Sequence, residues 1–391
     1  MTARPVDIAP LGPVRLPDSG LGRGWEAAAM MGLTLLILSF GLVTLYSASS
    51  VYALRQDLPD TFFAMRQAAG AGFGLALLLV CALMPYRWWS ALAWPLVAVT
   101  SVLLLLCVLP WTYSIAPEIK GARRWLNLGV TFQPSEIAKI TIVIWTAALA
   151  VRKVPYFGSL RRGLLPFIVV WAVIVGLVMA GPDLSTAMVL ALLGVVVVFA
   201  AGARIGHFVF LGLLVSPLIL LQLRVGFRME RLKSFLDPLA DPSGGGYQVK
   251  QSLVAFGSGG VGGVGIGEGR QKYGFLPESH NDFIFAMIGE EWGLIGVLVL
   301  ISLYTAVILV GFRIAARAPD LFGELVAIGF TSLLAVQAVL HMAVGLALAP
   351  ATGLALPLVS YGRSNLVVTL VALGILISIA RAAPGGKAAR A

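Results

Sequence analysis

The sequence predicts an all-α polytopic membrane protein: ten transmembrane helices with two larger extracytoplasmic loops. Three observations lead there. Of 391 residues 59% are apolar, only 12% are charged, and long charge-free intervals recur along the chain. An ordinary soluble domain is about 45–50% apolar and about 25% charged. At half that charge, a chain of this length cannot cover a globular surface with polar groups. A soluble enzyme, a disordered chain and a disulfide-stapled domain are excluded. Cys81 and Cys107 fall inside apolar stretches as small buried hydrophobes, and with His207, His280 and His341 they offer no zinc spacing.

A spanning helix needs roughly 20 apolar residues, because about 30 Å of hydrocarbon is crossed at 1.5 Å per residue. The charge-free intervals 27–54, 67–86, 88–117, 163–182, 184–203, 205–223 and 292–312 meet that need. The first is too long for the apolar core of a signal peptide and reads as a retained anchor. Residues 325–362 carry no charge over 38 positions, too many for one span. They divide at Pro350 into a helix and a loop containing Gly353, Pro357 and Gly362. Residues 364–380 form another span, and 135–151, with Glu136 and Lys139 near its start, completes ten. The expected organisation is a cytoplasmic tail over 1–24, a membrane domain over 25–381 with outer loops 111–134 and 224–291, and a cytoplasmic tail over 382–391.

Lys and Arg number 28 against 18 Asp and Glu, a net charge of +10. With the N-terminus inside, the cytoplasmic segments hold fourteen basic residues and five acids (Asp7, Asp18, Glu26, Asp320, Glu324). The excess therefore marks the cytoplasmic face, where anionic lipid attracts it, and no nucleic acid is needed to explain it.

The outer loops hold mixed charges among Trp, Phe, Tyr, Leu and Gly, which argues against simple disorder. The first ends in Lys120-Gly-Ala-Arg-Arg-Trp125, then Gln133-Pro-Ser-Glu136 and Lys139. Pro134 suits a first helical turn, Ser135 or Gln133 could help cap it, and Glu136 favours the helix dipole. Glu136 and Lys139, three apart, can pair on one face. They are either an ion-paired helix start or, as ionisable groups at membrane depth, part of a functional site. Lys120, Arg123 and Arg124 beside Trp125 could bind a phosphate at the interface, or form a solvated rim anchored by Trp125. Asp183, in Gly-Pro-Asp-Leu-Ser-Thr, reads as the cap of the span that begins at Leu184.

The second loop carries eight glycines over 257–269. Gly257-x-Gly259-x-x-Gly262, with Asp282 further on, matches a dinucleotide fingerprint in letters only, for it lacks the βαβ unit that gives the motif meaning. Glycines including Gly259 and Gly260 allow backbone to approach a ligand or nest an anion, and equally allow a flexible hinge. Glu278, His280 and Asp282 then cluster before an aromatic and aliphatic run. If that segment is helical, Glu278 and Asp282 share a face, and a carboxylate there can take a proton from a sugar hydroxyl. Glu290 and Glu291 read as N-terminal charges of the following span.

Taken in order, Lys120-Gly-Ala-Arg-Arg-Trp125, Gln133-Pro-Ser-Glu136 with Lys139, Pro182-Asp-Leu-Ser-Thr186, Ser252-Leu-Val-Ala-Phe-Gly-Ser-Gly-Gly260, Pro277-Glu-Ser-His-Asn-Asp-Phe283 and Ser360-Tyr-Gly362 resemble the SEDS proteins (shape, elongation, division and sporulation) over about residues 25–380. Ala122-Arg-Arg-Trp125 is closer to the division-type branch than to the elongation-type branch, which tends to have Gln at the first of those two Arg positions. The resemblance implies a peptidoglycan glycosyltransferase of the bacterial cytoplasmic membrane. Its substrates would be lipid II and a lipid-linked nascent glycan. Its partners would be a class B penicillin-binding protein and other divisome membrane proteins, since the chain has no Ser-x-x-Lys motif in a sizeable soluble domain.

The resemblance also implies Asp282 as the catalytic residue. Arg124, Trp125, Lys139, Lys272, Glu278, His280 and Arg363 are the candidate substrate contacts, and Glu136, Asp183, Gly259, Gly260 and Ser360 the supporting residues. No resident cofactor is expected; a divalent cation such as Mg2+ or Mn2+ could share the diphosphate's charge. The chain departs from the family at Arg363 and Asn365, where Gly and Ser are usual, and at His341, where Asn is expected and where hydrogen-bonded packing is the favoured reading. A lipid II flippase and a non-catalytic division scaffold are the competing functions. A flippase should line the middle of its spans with polar groups, whereas these charges gather at the outer boundary.

Overall fold

The computed structural model describes residues 24–118, 121–127, 129–223, 226–237 and 244–383. Thirteen α-helices are described: α1 (Trp25–Leu54), α2 (Phe62–Leu83), α3 (Trp88–Val108), α4 (Pro134–Lys153), α5 (Leu165–Ala180), α6 (Leu184–Ala200), α7 (Ile205–Leu223), α8 (Gly226–Leu236), α9 (Gly245–Gly259), α10 (Ile284–Glu291), α11 (Gly293–Ala316), α12 (Leu321–Gly345) and α13 (Arg363–Ala382). Helices dominate because hydrocarbon cannot satisfy a backbone amide, so each span must bond to itself. Among the described residues seven helices are long and apolar enough to cross a membrane: α1, α2, α3, α5 with the π-turn before it, α11, α12 and α13. Helix α4 occupies its expected interval but carries Glu136, Lys139, Arg152 and Lys153, and α6 is shorter, at 17 residues.

Three expectations change. The chain is not wholly helical, since Leu126–Asn127 (β1) and Thr131–Phe132 (β2) form a small antiparallel hairpin in the first outer loop. The 224–291 segment is not one irregular loop, for α8, α9 and α10 lie in it. Helix α2 begins at Phe62, before Arg66, whose exposed side chain in the second turn can reach back past the helix end to water.

Helices α12 and α13 are the most enclosed spans, while α3 shows most of its surface outward. Helix α13 packs most extensively on α2, at an approach close enough that a Cβ on Gly374 would stand 2.5 Å from the Leu78 carbonyl. Small residues at such crossings let backbones approach where no hydrophobic effect drives association. Trp145 of α4 meets Phe167 of α5 edge-on, and Trp171 of α5 donates its indole N–H to Thr146 Oγ1 at 3.0 Å.

Between α12 and α13 the chain runs through 346–362, an irregular stretch whose Leu354, Leu356, Leu358 and Val359 are nonetheless buried. Four helices hold it. His341 of α12 bonds the Leu354 carbonyl through Nδ1 at 2.7 Å, the packing role expected of it. Tyr304 of α11 donates its hydroxyl to the Pro357 carbonyl. Gln67 of α2 donates to Ser360 O at 3.0 Å. On α1, Gly41 admits the chain so closely that a Cβ would meet Leu358 O at 2.7 Å. Each of these contacts satisfies or encloses backbone that has no helical partner of its own.

Candidate active site

Asp282 lies in the turn 277–283 that leads into α10. The turn does not take the helical form that would put Glu278 and Asp282 on one face. Glu278 takes a left-handed conformation (φ 53°), and its carbonyl accepts the N–H groups of Asn281 and Asp282, each at 3.0 Å. Glu278 and Asp282 are therefore joined by a tight turn and not by one face of a helix. Both are half-buried, and Phe283, 1% exposed, anchors the turn from below.

The buried stretch 346–362 passes beside the carboxylate. A Cβ on Gly353 would lie 3.7 Å from Asp282 Oδ2. Ser360 Oγ donates to Asn281 O at 2.8 Å, and Tyr361 N–H donates to His280 O at 3.1 Å. The two carbonyls immediately before Asp282 are thus both held. The His280 ring is buried among Tyr52, Phe63 and Tyr361, with centroids 4.6, 5.4 and 6.0 Å away.

The other candidates fall into two further groups. Lys139 and Glu136 form a buried pair at 2.7 Å, 1% and 8% exposed, and Glu136 Oε2 also accepts from Asn365 Nδ2 at 2.9 Å. Gln133 is the N-cap position of α4, yet its side chain does not cap; Nε2 donates to Ser135 Oγ and to Asp183 Oδ2. Asp183 caps α6 as expected, accepting from Thr186 N at 3.2 Å. Arg363 opens α13, half-buried, with its side-chain carbons near Gly70. The first turns of α4, α6 and α13 are thereby joined, and through Ser360 and Tyr361 they connect to the Asp282 turn. Asn365, a departure from the family, gains its explanation as a donor to Glu136.

Both arginines of the first loop serve backbone. Arg124 donates Nε to Gly181 O at 3.0 Å and Nη2 to Pro182 O, satisfying carbonyls where α5 ends. Arg123 donates to the carbonyls of Leu109 and Ala116 and to Thr112 Oγ1, with its guanidinium over the Tyr113 ring at 4.1 Å. Trp125 is half-buried next to them, and Lys120 lies outside the described residues.

Lys272 belongs to a third group. Its ammonium meets Glu291 Oε1 at 3.1 Å, Ser47 Oγ at 3.2 Å and the Gly267 carbonyl, which uses all three donors. Glu290 accepts the N–H of Arg270 at 2.9 Å and of Gln271 at 3.2 Å. Glu290 and Glu291 thus close α10, 1% and 2% exposed, and clamp the preceding loop; they are not N-terminal charges on a surface. The glycines serve the same clamp. A Cβ on Gly259 would lie 1.9 Å from Gly289 O, and on Gly263 2.2 Å from Glu291 O. Val264 N and Gly265 N donate to the carbonyls of Glu290 and Glu291. The close backbone approach expected of this stretch is made to the chain itself. Gly260, with φ 55° and ψ −141°, turns the chain out of α9, and no strand adjoins the Gly257–Gly262 run among the described residues.

A bundle of long apolar helices packed around a buried irregular stretch defines a class: a polytopic helical membrane protein. The FtsW/RodA/SpoVE cell cycle protein family model matches residues 27–384, and the chain belongs to that family. It is 41% identical over 343 residues to a probable peptidoglycan glycosyltransferase FtsW of Trichlorobacter lovleyi, covering 87% of this chain and 89% of that one. It is 38% identical to the stage V sporulation protein E of Bacillus subtilis, covering 89% and 95%. Among solved structures, a chain of a peptidoglycan synthase complex that coordinates polymerization and crosslinking aligns with TM-score 0.75 and 31% identity, over 90% of this chain and 97% of that one. The rod shape determining protein RodA of Thermus thermophilus aligns with TM-score 0.66 and 29% identity, over 94% and 100%.

Proposed function

We propose that this chain is a division-type peptidoglycan glycosyltransferase that polymerises lipid II at the outer face of the cytoplasmic membrane, with a class B penicillin-binding protein as its crosslinking partner. Family membership, with relatives named as peptidoglycan glycosyltransferases, supports the activity. A structural neighbour drawn from a peptidoglycan synthase complex supports the partner.

Ten crossings with both termini inside is the topology this reading requires, and the pairing of helix ends supports it. Glu26 meets Arg313 and Arg317, Arg87 meets Asp320, and Arg381 meets Ala82 O; every charged residue among these is expected on the cytoplasmic side. The Asp282 turn, the Ser360 loop and the first turns of α4, α6 and α13 are all expected outside.

The observation that carries the reaction is Asp282, a half-buried carboxylate whose two preceding carbonyls are pinned. The acceptor sugar's 4-hydroxyl attacks the anomeric carbon of the lipid-linked chain. A new C–O bond forms, and the bond to the diphosphate breaks with its electron pair leaving on undecaprenyl diphosphate. The hydroxyl proton passes to Asp282 as general base. The departing charge needs cationic neighbours. Arg363, half-buried at the start of α13, would supply one, whereas Arg124 is engaged by the Gly181 and Pro182 carbonyls and Lys139 by Glu136. Lys272, with three donors engaged, acts instead as a clamp. Among the described residues no group of three or more His, Cys, Asp or Glu could hold a metal.

The test is polymerisation of lipid II by the purified full chain with its transpeptidase partner, read as glycan chains on a gel. Asp282→Asn is expected to lose about 100-fold or more, the range of a general base. Wild-type rates from Asp282→Asn would remove the base assignment. No chains from wild type, with lipid II crossing vesicles, would install the transporter reading instead.

A further inference from the structure

The geometry points to Gln67, on α2, as the positioning residue that sets Asp282 for proton transfer; the inference rests on the glycosyltransferase reading above. Gln67 is 1% exposed. Its Nε2 donates to Ser360 O at 3.0 Å and its Oε1 accepts from Gly362 N at 3.2 Å. One side-chain amide thereby grips a carbonyl and an N–H two residues apart, as a neighbouring strand would. The partners fix the amide's orientation, since a carbonyl needs a donor and an N–H needs an acceptor.

Between those two grips lie the groups that hold the catalytic turn. Tyr361 N–H donates to His280 O at 3.1 Å. Ser360 Oγ donates to Asn281 O at 2.8 Å while accepting Leu356 N at 2.9 Å. The route runs from Gln67 to 360–362, to the carbonyls of residues 280 and 281, and then to Asp282. Phe63, one turn earlier on α2, reinforces it by packing on the His280 and Tyr361 rings at 5.4 and 5.2 Å. Helix α2 thus addresses the base from 215 residues away in sequence, without touching substrate.

Only Gln fits this arrangement. Asn is one methylene shorter and cannot span both groups, and Leu fills the volume with neither bond. Freed at 360–362, the turn keeps its fold through Glu278 and Phe283, but the carboxylate loses its fixed approach to the acceptor hydroxyl. Misplacement of a reacting group by about 1 Å costs on the order of 100-fold.

The experiment measures lipid II polymerisation by the full chain with its partner. Compared are wild type, Gln67→Leu, Gln67→Asn, Ser360→Ala and the Gln67→Leu/Ser360→Ala double variant, with Asp282→Asn as the inactive reference. We expect each Gln67 variant to lose about 10- to 100-fold in kcat with KM within about twofold. The double variant should fall no more than about twofold below the worse single, because both act along one route. Unchanged kcat in Gln67→Leu overturns the assignment, as does a loss that appears only in KM or in the yield of folded protein. Multiplying losses in the double variant also overturn it. An inactive wild type defeats the glycosyltransferase reading itself, a result separate from any of these.

Discussion

Replacing Lys272 by Met should destabilise the fold by about 3–5 kcal/mol, the cost of breaking a buried ion pair from one side. The magnitude follows from the site. Lys272 and Glu291 are 4% and 1% exposed and 3.1 Å apart. At an effective dielectric of about 20, two charges at that distance attract by about 5 kcal/mol, most of which offsets their desolvation. Removal of the ammonium leaves Glu291 buried with only the Ser47 hydroxyl, at 2.6 Å, on Oε1 and with no partner on Oε2. Met matches the alkyl stem of Lys, so the loss reports charge and not volume. The Lys272→Met/Glu291→Leu double variant removes both charges and should recover most of the stability. Unfolding by SDS titration in mixed micelles, followed by tryptophan fluorescence, yields the free energies. A Lys272→Met cost under about 1 kcal/mol, or strictly additive losses in the double variant, would refute the clamp and return Lys272 to the list of diphosphate ligands.

Three further outcomes are expected. Gly259→Ala, whose Cβ would stand 1.9 Å from Gly289 O, should force α9 off α10 and cost about 1–3 kcal/mol in the same titration. Asn365→Leu should leave Glu136 Oε2 without its donor at 2.9 Å and cost about 1–3 kcal/mol; no measurable loss would show that the α4–α13 tie contributes nothing. Burial pushes the Asp320 carboxyl up, but the Gly323 N–H, the Tyr86 hydroxyl and the Arg87 guanidinium outweigh it and hold it below the ordinary carboxylate range. A depressed folded value means its stabilisation is complete above the unfolded pKa near 4 and vanishes as pH falls through the folded one. Asp320→Ala should therefore be less stable than wild type by about 1 kcal/mol at pH 7, the usual cost of a lost N-cap. That gap should narrow below pH 4 in thermal melts, and a constant gap would contradict the linkage.

Much of the site was legible before any fold was known, and the residues show where legibility stopped. Asp183 and Pro134 were readable as helix starts because capping is a matter of a few adjacent residues. The Glu136–Lys139 pair was readable from its spacing of three. Gln67 was not, for an uncharged residue in an apolar helix gives no signal of what it faces. Its partners, Ser360 and Gly362, are more than 290 positions away. Glu290 and Glu291 were misread for a related reason. Acidic residues before an apolar run look like helix N-terminal charges, and only the break between α10 and α11 at Trp292 shows that they end one helix instead of opening the next.

By itself, then, the sequence determined the solvent and the inventory. Apolar runs without charge commit the backbone to helices in a bilayer. The tertiary structure decided which polar groups meet. Ser47 finds Glu291 across 244 positions, Gly259, Gly263 and Gly269 lie against the end of α10, and Arg124 bonds the carbonyls where α5 ends. The physical reason is that hydrophobic pattern and capping act over one or two turns. A buried hydrogen bond between distant segments exists only after helix packing has excluded water and left each donor one acceptor within reach.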